Sequence, residues 1–119
     1  MTVVRFTPQL ALGGRGMPVP HYHRDGDETV YGLAGAVTFT IDGTPRAIGP
    51  GDTVCIPRGV VHGFDNRSGA PATCLCVLTP GVLGPGYFRE IALLVAAGPQ
   101  DPVKMREIMQ RHGLIPAPP

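Results

Sequence analysis

Between Asp25 and Gly81 the chain is broken at short intervals by turn residues. They are Asp25-Gly26, Asp42-Gly43, Gly49-Pro50-Gly51-Asp52, Pro57-Arg58-Gly59, Asp65-Asn66-Arg67-Ser68-Gly69 and Thr79-Pro80-Gly81. Glycine supplies positive φ, proline presets its own φ, and Asp and Asn bond back to the backbone, so each cluster marks a reversal. The runs between them are short and extended. Val37, Phe39 and Ile41 alternate with Thr38 and Thr40, the period of a half-buried strand. Asp42-Gly43 then closes a tight hairpin, and Arg46 to Ile48 pairs back. Val3–Phe6, the run from Glu28 to Gly35, Thr53–Ile56 and Ala72–Leu78 read as further strands, with Gly32 and Gly35 inviting a bulge or bend. The 17 glycines and 14 prolines are spread along the chain rather than gathered in repeats, which fits tight turns and not disorder. Roughly eight to ten short strands predict an all-β fold, a closed or double-sheet antiparallel barrel that limits exposed edges.

The period changes after residue 80. Phe88, Ile91, Ala92 and Val95 recur at helical spacing, predicting a helix from about Tyr87 to Ala97 that Gly98-Pro99 stops. This helix is apolar nearly all round, so it should pack on the barrel or a partner, or cover the mouth of a pocket. Asp101 then caps a second helix with Pro102 at its first position. Met105, Ile108, Met109 and His112 form its stripe, and Gly113 ends it. Pro116-Ala117-Pro118-Pro119 should lie extended. The expected organisation is one domain over residues 1–119, with a barrel to about residue 80 and a helical tail from about 86 to 113.

His21-Tyr22-His23 places two imidazoles one residue apart, hence on one face of a strand with Tyr22 on the other. The Asp25-Gly26 turn is expected to reverse the chain and return Glu28 on the neighbouring strand. His62 opens a later strand after the Pro57-Arg58-Gly59 turn, and by parity Phe64 shares its face. Three imidazoles and one carboxylate then converge. That donor set suits a divalent transition ion that accepts nitrogen and oxygen ligands, whether Fe, Mn, Ni, Cu, Co or Zn. The fourth histidine, His112, falls near a helix C-terminus, where a partly charged imidazole is favourable, and is read as structural.

These stretches resemble the two motifs of the cupin superfamily. His21, His23, Glu28 and Gly35 fit the first, H-x-H-x4-E-x6-G, while its leading glycine is displaced: Gly14 and Gly16 flank the expected place and Arg15 occupies it. Gly51, Pro57, Gly59, His62 and Asn66 match the second, G-x5-P-x-G-x2-H-x3-N, at every position. The resemblance implies a double-stranded β-helix (jelly-roll) barrel followed here by two short C-terminal α-helices. It also implies a metal held by His21, His23, Glu28 and His62. The tail is similar to that of small bacterial cupins grouped with quercetin-dioxygenase-like proteins.

Four donors leave two positions of an octahedral ion open, and open coordination separates a catalytic from a structural site. The family reading is first an oxygenase acting on a hydroxylated, aromatic or enolisable small molecule. Next come an isomerase, lyase or polyketide-type cyclase that uses the ion as a Lewis acid, and a non-catalytic small-ligand-binding module. Glu28 is also the expected catalytic base.

Composition closes off other partners. The formal net charge is +1, from 10 basic and 9 acidic residues, which offers no steering toward nucleic acid or a membrane surface. Neither a secretory pattern nor a run long enough to span a membrane is present, so a cytoplasmic location is expected. Three cysteines, Cys55, Cys74 and Cys76, argue against a disulfide framework, and the last two should pack as small hydrophobes. A homodimer is the family expectation.

Overall fold

The protein is described here by a computed structural model covering residues 2–6, 20–81, 83–98 and 101–118. The loop carrying Gly14, Arg15 and Gly16 lies outside these residues. The strands are β1 (Thr2–Phe6), β2 (His21–His23), β3 (Asp27–Ala34), β4 (Val37–Ile41), β5 (Thr44–Ile48), β6 (Thr53–Ile56), β7 (His62–Asp65), β8 (Thr73–Thr79) and β9 (Leu114–Pro116). Helices α1 (Pro85–Ala96) and α2 (Pro102–Arg111) lie between β8 and β9. Two antiparallel sheets form, in the orders β1-β8-β3-β6 and β5-β4-β7-β2-β9. The double-sheet alternative is therefore the observed one, a jelly-roll sandwich.

Alternation decides which side chains meet between the sheets. Val30, Val54, Ile56, Cys74 and Cys76 come from the first sheet and Val37, Phe39 and Ile48 from the second, and all are buried in one cluster. The two cysteines thus pack as small apolar residues, and Cys55 is exposed. Asp42 and Gly43 both take positive φ, 49° and 82°, as the tight β4–β5 hairpin requires. The first strand pairs within the chain, from Thr2↔Leu78 to Phe6↔Cys74. Gly32 and Gly35 bend β3 as expected, since the β3–β8 register shifts between Gly32 and Ala34. At both positions a Cβ would collide with a backbone carbonyl, that of Gly49 or that of Pro71 respectively. Tyr31 points outward and is 43% exposed.

Two expectations are corrected. The Asp25-Gly26 turn does not form a hairpin: β2 belongs to the five-stranded sheet and β3 to the four-stranded one. The turn carries the chain across the sandwich, and Glu28 reaches the histidines from the opposite sheet. The cause is pairing: β2 is short and finds its partners in β7 and β9 instead. Second, β8 is not the last strand. Beyond α2, Leu114 to Pro116 returns as β9 and lies along β2, with His21↔Pro116, Tyr22↔Ile115 and His23↔Leu114 as partners. The extended tail foreseen at Pro116 therefore starts two residues earlier and is hydrogen-bonded into a sheet.

The helices close one end of the sandwich. Leu78, Leu83, Tyr87, Met105, Met109 and Leu114 form a second buried cluster. The inward side of α1 carries Tyr87, Phe88, Ile91 and Leu94, while Ala92 is exposed. A helix apolar on most sides does not betray its buried face by periodicity, so the expected stripe is rotated. Asp101 caps α2 by accepting from the backbone N–H groups of Val103 at 2.9 Å and Lys104 at 3.5 Å. The two helices are clamped by Glu90, which accepts from Arg111 Nη1 at 3.0 Å and faces His112 Nε2 at 3.0 Å. Among the described residues no helix is long and apolar enough to cross a membrane.

Two predictions follow from these contacts. Gly32→Ala should destabilise the protein by about 2 kcal/mol or more, because rigid backbone and not a side-chain end must give way; a urea midpoint equal to wild type would refute the close approach. The Glu90 carboxyl is held below its usual value by the Arg111 hydrogen bond first and by His112 second. Its folded pKa lies below the unfolded one, so the clamp contributes stability above about pH 4.5, which is lost as pH falls through the folded value. Glu90→Gln should therefore lower stability at neutral pH and converge with wild type in acid. Parallel stability–pH curves would disprove the clamp.

Candidate metal centre

The site is assembled by register. His21 stands opposite His62 across the β2–β7 pair. Alternation along β2 buries His21 and His23 on one face and leaves Tyr22 on the other. Two bonds donated by backbone N–H groups join the motif turns to each other: Gly59 N–H donates to the His23 carbonyl at 3.0 Å, and Arg58 N–H donates to the Asp27 side chain at Oδ1, at 2.9 Å. The Arg58 guanidinium adds contacts of 3.3 and 3.4 Å to the same carboxylate. Thus the Pro57-Arg58-Gly59 turn, which aims His62, is tied to both strands that carry the other donors. Asn66 is also buried but does not face the cluster. Its side chain organises the β7–β8 loop, accepting from Ser68 N at 3.0 Å and donating to the Ala70 carbonyl at 2.6 Å.

His21, His23 and His62 are 3, 6 and 2% exposed, and their ligand atoms all lie within 4.8 Å of one another. Glu28 Oε2 lies 3.1 Å from His62 Nε2 and 3.7 Å from His23 Nε2. The three imidazoles therefore converge, and the Glu28 carboxylate stands beside two of them. His112 stands apart from them, bound to Glu90.

The donor set is one that a cation would complete. His62 Nδ1 is 3.0 Å from the Val60 carbonyl, which only accepts, so Nδ1 carries a proton. Its Nε2 then faces a carboxylate, a second acceptor, and a proton or a metal ion must lie between them. His23 Nε2 is buried with no hydrogen-bond partner among the described residues, an arrangement that costs free energy unless something binds it. Burial alone would raise the Glu28 carboxyl; the His23 and His62 imidazoles outweigh it and hold the group down to about 2. Glu28 is thus an anion in an apolar interior. Three imidazoles and an ionised carboxylate fit a divalent transition ion on each of these counts.

The cluster opens into a cavity of about 170 Å³. Its walls are apolar: Phe39, Phe64, Leu83, Phe88, Ile91 and Leu114. Phe64 shares the His62 face and lies 5.6 Å from Phe39 between ring centroids, so it serves both core and wall. Helix α1 contributes Phe88 and Ile91 to this lining. Tyr87, also in the wall, escapes the sequence reading. Only its place one residue before Phe88 in the apolar helix hinted at a buried face.

Residues 9–78, more than half of the chain, match the cupin domain family. An uncharacterized protein of Aquifex aeolicus (strain VF5) is 33% identical over 71 residues, which are 60% of this chain and 58% of that one. A sugar phosphate isomerase of the cupin superfamily from Silicibacter pomeroyi DSS-3 is 37% identical, with a TM-score of 0.52 over 65% of this chain and 47% of its own. The polyketide cyclase RemF of Streptomyces resistomycificus is 27% identical, with a TM-score of 0.54 over 64% of this chain and 51% of its own. This chain therefore spans between about half and three fifths of the length of these relatives. The sequence match, the paired sheets and both histidine motifs agree, and the chain belongs to the cupin family.

Proposed function

We propose that this chain is a metal-dependent enzyme whose ion, held by His21, His23, Glu28 and His62, activates an oxygen-bearing, ring-sized apolar molecule. The observation that carries this reading is the position of the donor cluster, buried at the wall of an apolar cavity of about 170 Å³. An engineered cavity of about 150 Å³ accepts benzene, so the space matches one ring. The bound ion would supply Lewis acidity, polarising a carbonyl or acidifying a hydroxyl. The protein's own contributions are distinct from that. Phe39, Phe64, Phe88 and Ile91 would hold the ring and exclude water. Glu28, ionised and beside His62, would accept a hydrogen bond from a substrate hydroxyl at a carboxylate oxygen and so orient it toward the ion.

Likeness to an isomerase and to a polyketide cyclase supports Lewis-acid chemistry as the first reading. The apolar wall favours the ring compound over a sugar phosphate. A phosphoryl group there would lose hydration and meet no Lys or Arg among the described lining residues. Oxygenase chemistry on the same class of compound is the second reading, since three imidazoles and a carboxylate also suit iron, manganese and copper.

Elemental analysis of protein purified without chelator tests the proposal. Wild type should carry about one equivalent of a transition metal, His62→Ala should lose it while keeping its fold, and His112→Ala should keep it. Unchanged metal in His62→Ala would sink the site assignment. Dioxygen uptake with catechols or diketones would move the oxygenase ahead of the Lewis-acid reading.

A further inference from the structure

A molecule in the cavity meets few polar atoms. Besides the four donors and the weakly bonding Cys76 thiol, the described lining offers one more, the hydroxyl of Tyr87. Tyr87 lies on α1, outside the residues matched by the family. It is 3% exposed, and its ring is fixed on two sides. Phe88 lies edge-on at 5.0 Å between centroids, and His112 does so at 5.5 Å. The hydroxyl is nevertheless buried without a hydrogen-bond partner among the described residues. Buried tyrosine hydroxyls ordinarily find a partner, and one left without is a cost that phenylalanine, equally able to fill the space, would avoid.

We propose that the Tyr87 hydroxyl is a substrate-binding group, donating a hydrogen bond to an oxygen of a planar, enolised ketone or related hydroxy-carbonyl compound held in the cavity. The inference rests on the reading of this cavity as a substrate site and specifies what that substrate must carry. Its ring meets the apolar walls, and its oxygens face the donor cluster and the phenol. The phenol suits a donor's role. Burial first, and the Glu28 carboxylate second, push its pKa up, which favours the protonated phenol. A donor that stays neutral is matched to an oxygen that gains negative charge on enolisation. Neither other tyrosine is so placed: Tyr22 points away from the cluster on β2, and Tyr31 is exposed on β3.

Tropolone, a planar hydroxy-ketone, is the probe, with binding measured by calorimetry on metal-loaded and metal-free protein. Tyr87→Phe should fold with a Tm no lower than wild type, because the lost hydroxyl bonds to nothing in the protein. Its metal content should be unchanged. It should bind tropolone about three- to tenfold more weakly, the range of one net hydrogen bond. Tyr31→Phe should bind as wild type does. Toluene, which has no oxygen, should bind wild type and Tyr87→Phe alike. Equal tropolone affinity for the two proteins would overturn the proposal, as would failure of wild type to bind tropolone. A Tm lowered by several degrees, or failure to fold, would make the hydroxyl structural; lost metal would make it part of the ion's environment; an equal loss of toluene binding would reduce it to packing. A wild type without metal would defeat the metal reading alone, and the comparison on metal-free protein would still decide the role of Tyr87.

Discussion

A carboxylate ionised in an apolar interior is the constraint on which the rest of this structure depends. Burial works against the charge on Glu28, and the imidazoles of His23 and His62 beside it supply the compensation. Neither partner comes from the same sheet. Glu28 is carried by β3 and the histidines by β2 and β7, so the electrostatic balance holds only while the two sheets stay in face-to-face register. The hydrophobic cluster of Val30, Phe39, Ile56 and Cys76 enforces that register. An ion at the cluster would join the sheets at the same place, coupling metal binding to the stability of the sandwich.

The chain beyond the two motifs completes the site rather than decorating it. Strand β2 meets β7 at one residue pair, His21↔His62, but meets β9 at three. The strand bearing two of the imidazoles is therefore held largely by the segment that follows the helices. The first of those helices, α1, supplies Tyr87, Phe88 and Ile91 to the cavity wall. The Glu90 contacts to Arg111 and His112 keep α1 against α2 and so keep that wall in place. His112, the histidine outside the motifs, thus acts at one remove from the cavity.

How much of this could be read from the sequence depends on whether a local rule was sufficient. Alternation placed His21 and His23 on one face, Asp42-Gly43 specified its hairpin, and Asp101-Pro102 announced a helix start, because each is decided within a few residues. The approach of His21, His23 and His62 to one another, with Glu28 beside two of them, was legible from motif spacing. The route of Glu28 to that point was not: a turn dipeptide tells that the chain reverses, not whether the next strand joins the same sheet or crosses to the other. Strand β9 was hidden for a related reason. Three residues ending in proline carry almost no periodic signal, and their strand character comes from a partner more than ninety positions away. The buried face of α1 was obscured by too much apolar character, so that Tyr87 was indistinguishable from its neighbours.

The same division bears on specificity. The donors and the turns that aim them lie within the matched residues 9–78, whereas α1, α2 and β9 lie wholly beyond. Polar chemistry and cavity shape are thereby carried by different parts of the chain. Substitutions on α1 can reshape the apolar wall without moving an imidazole, because α1 supplies wall residues and none of the four donors. Substitutions at Arg58 or Gly59 would do the reverse, since these residues bond directly to Asp27 and to the His23 carbonyl. A scaffold divided in this way can keep one reactive centre and exchange the molecules presented to it, which is the condition under which one fold hosts many reactions.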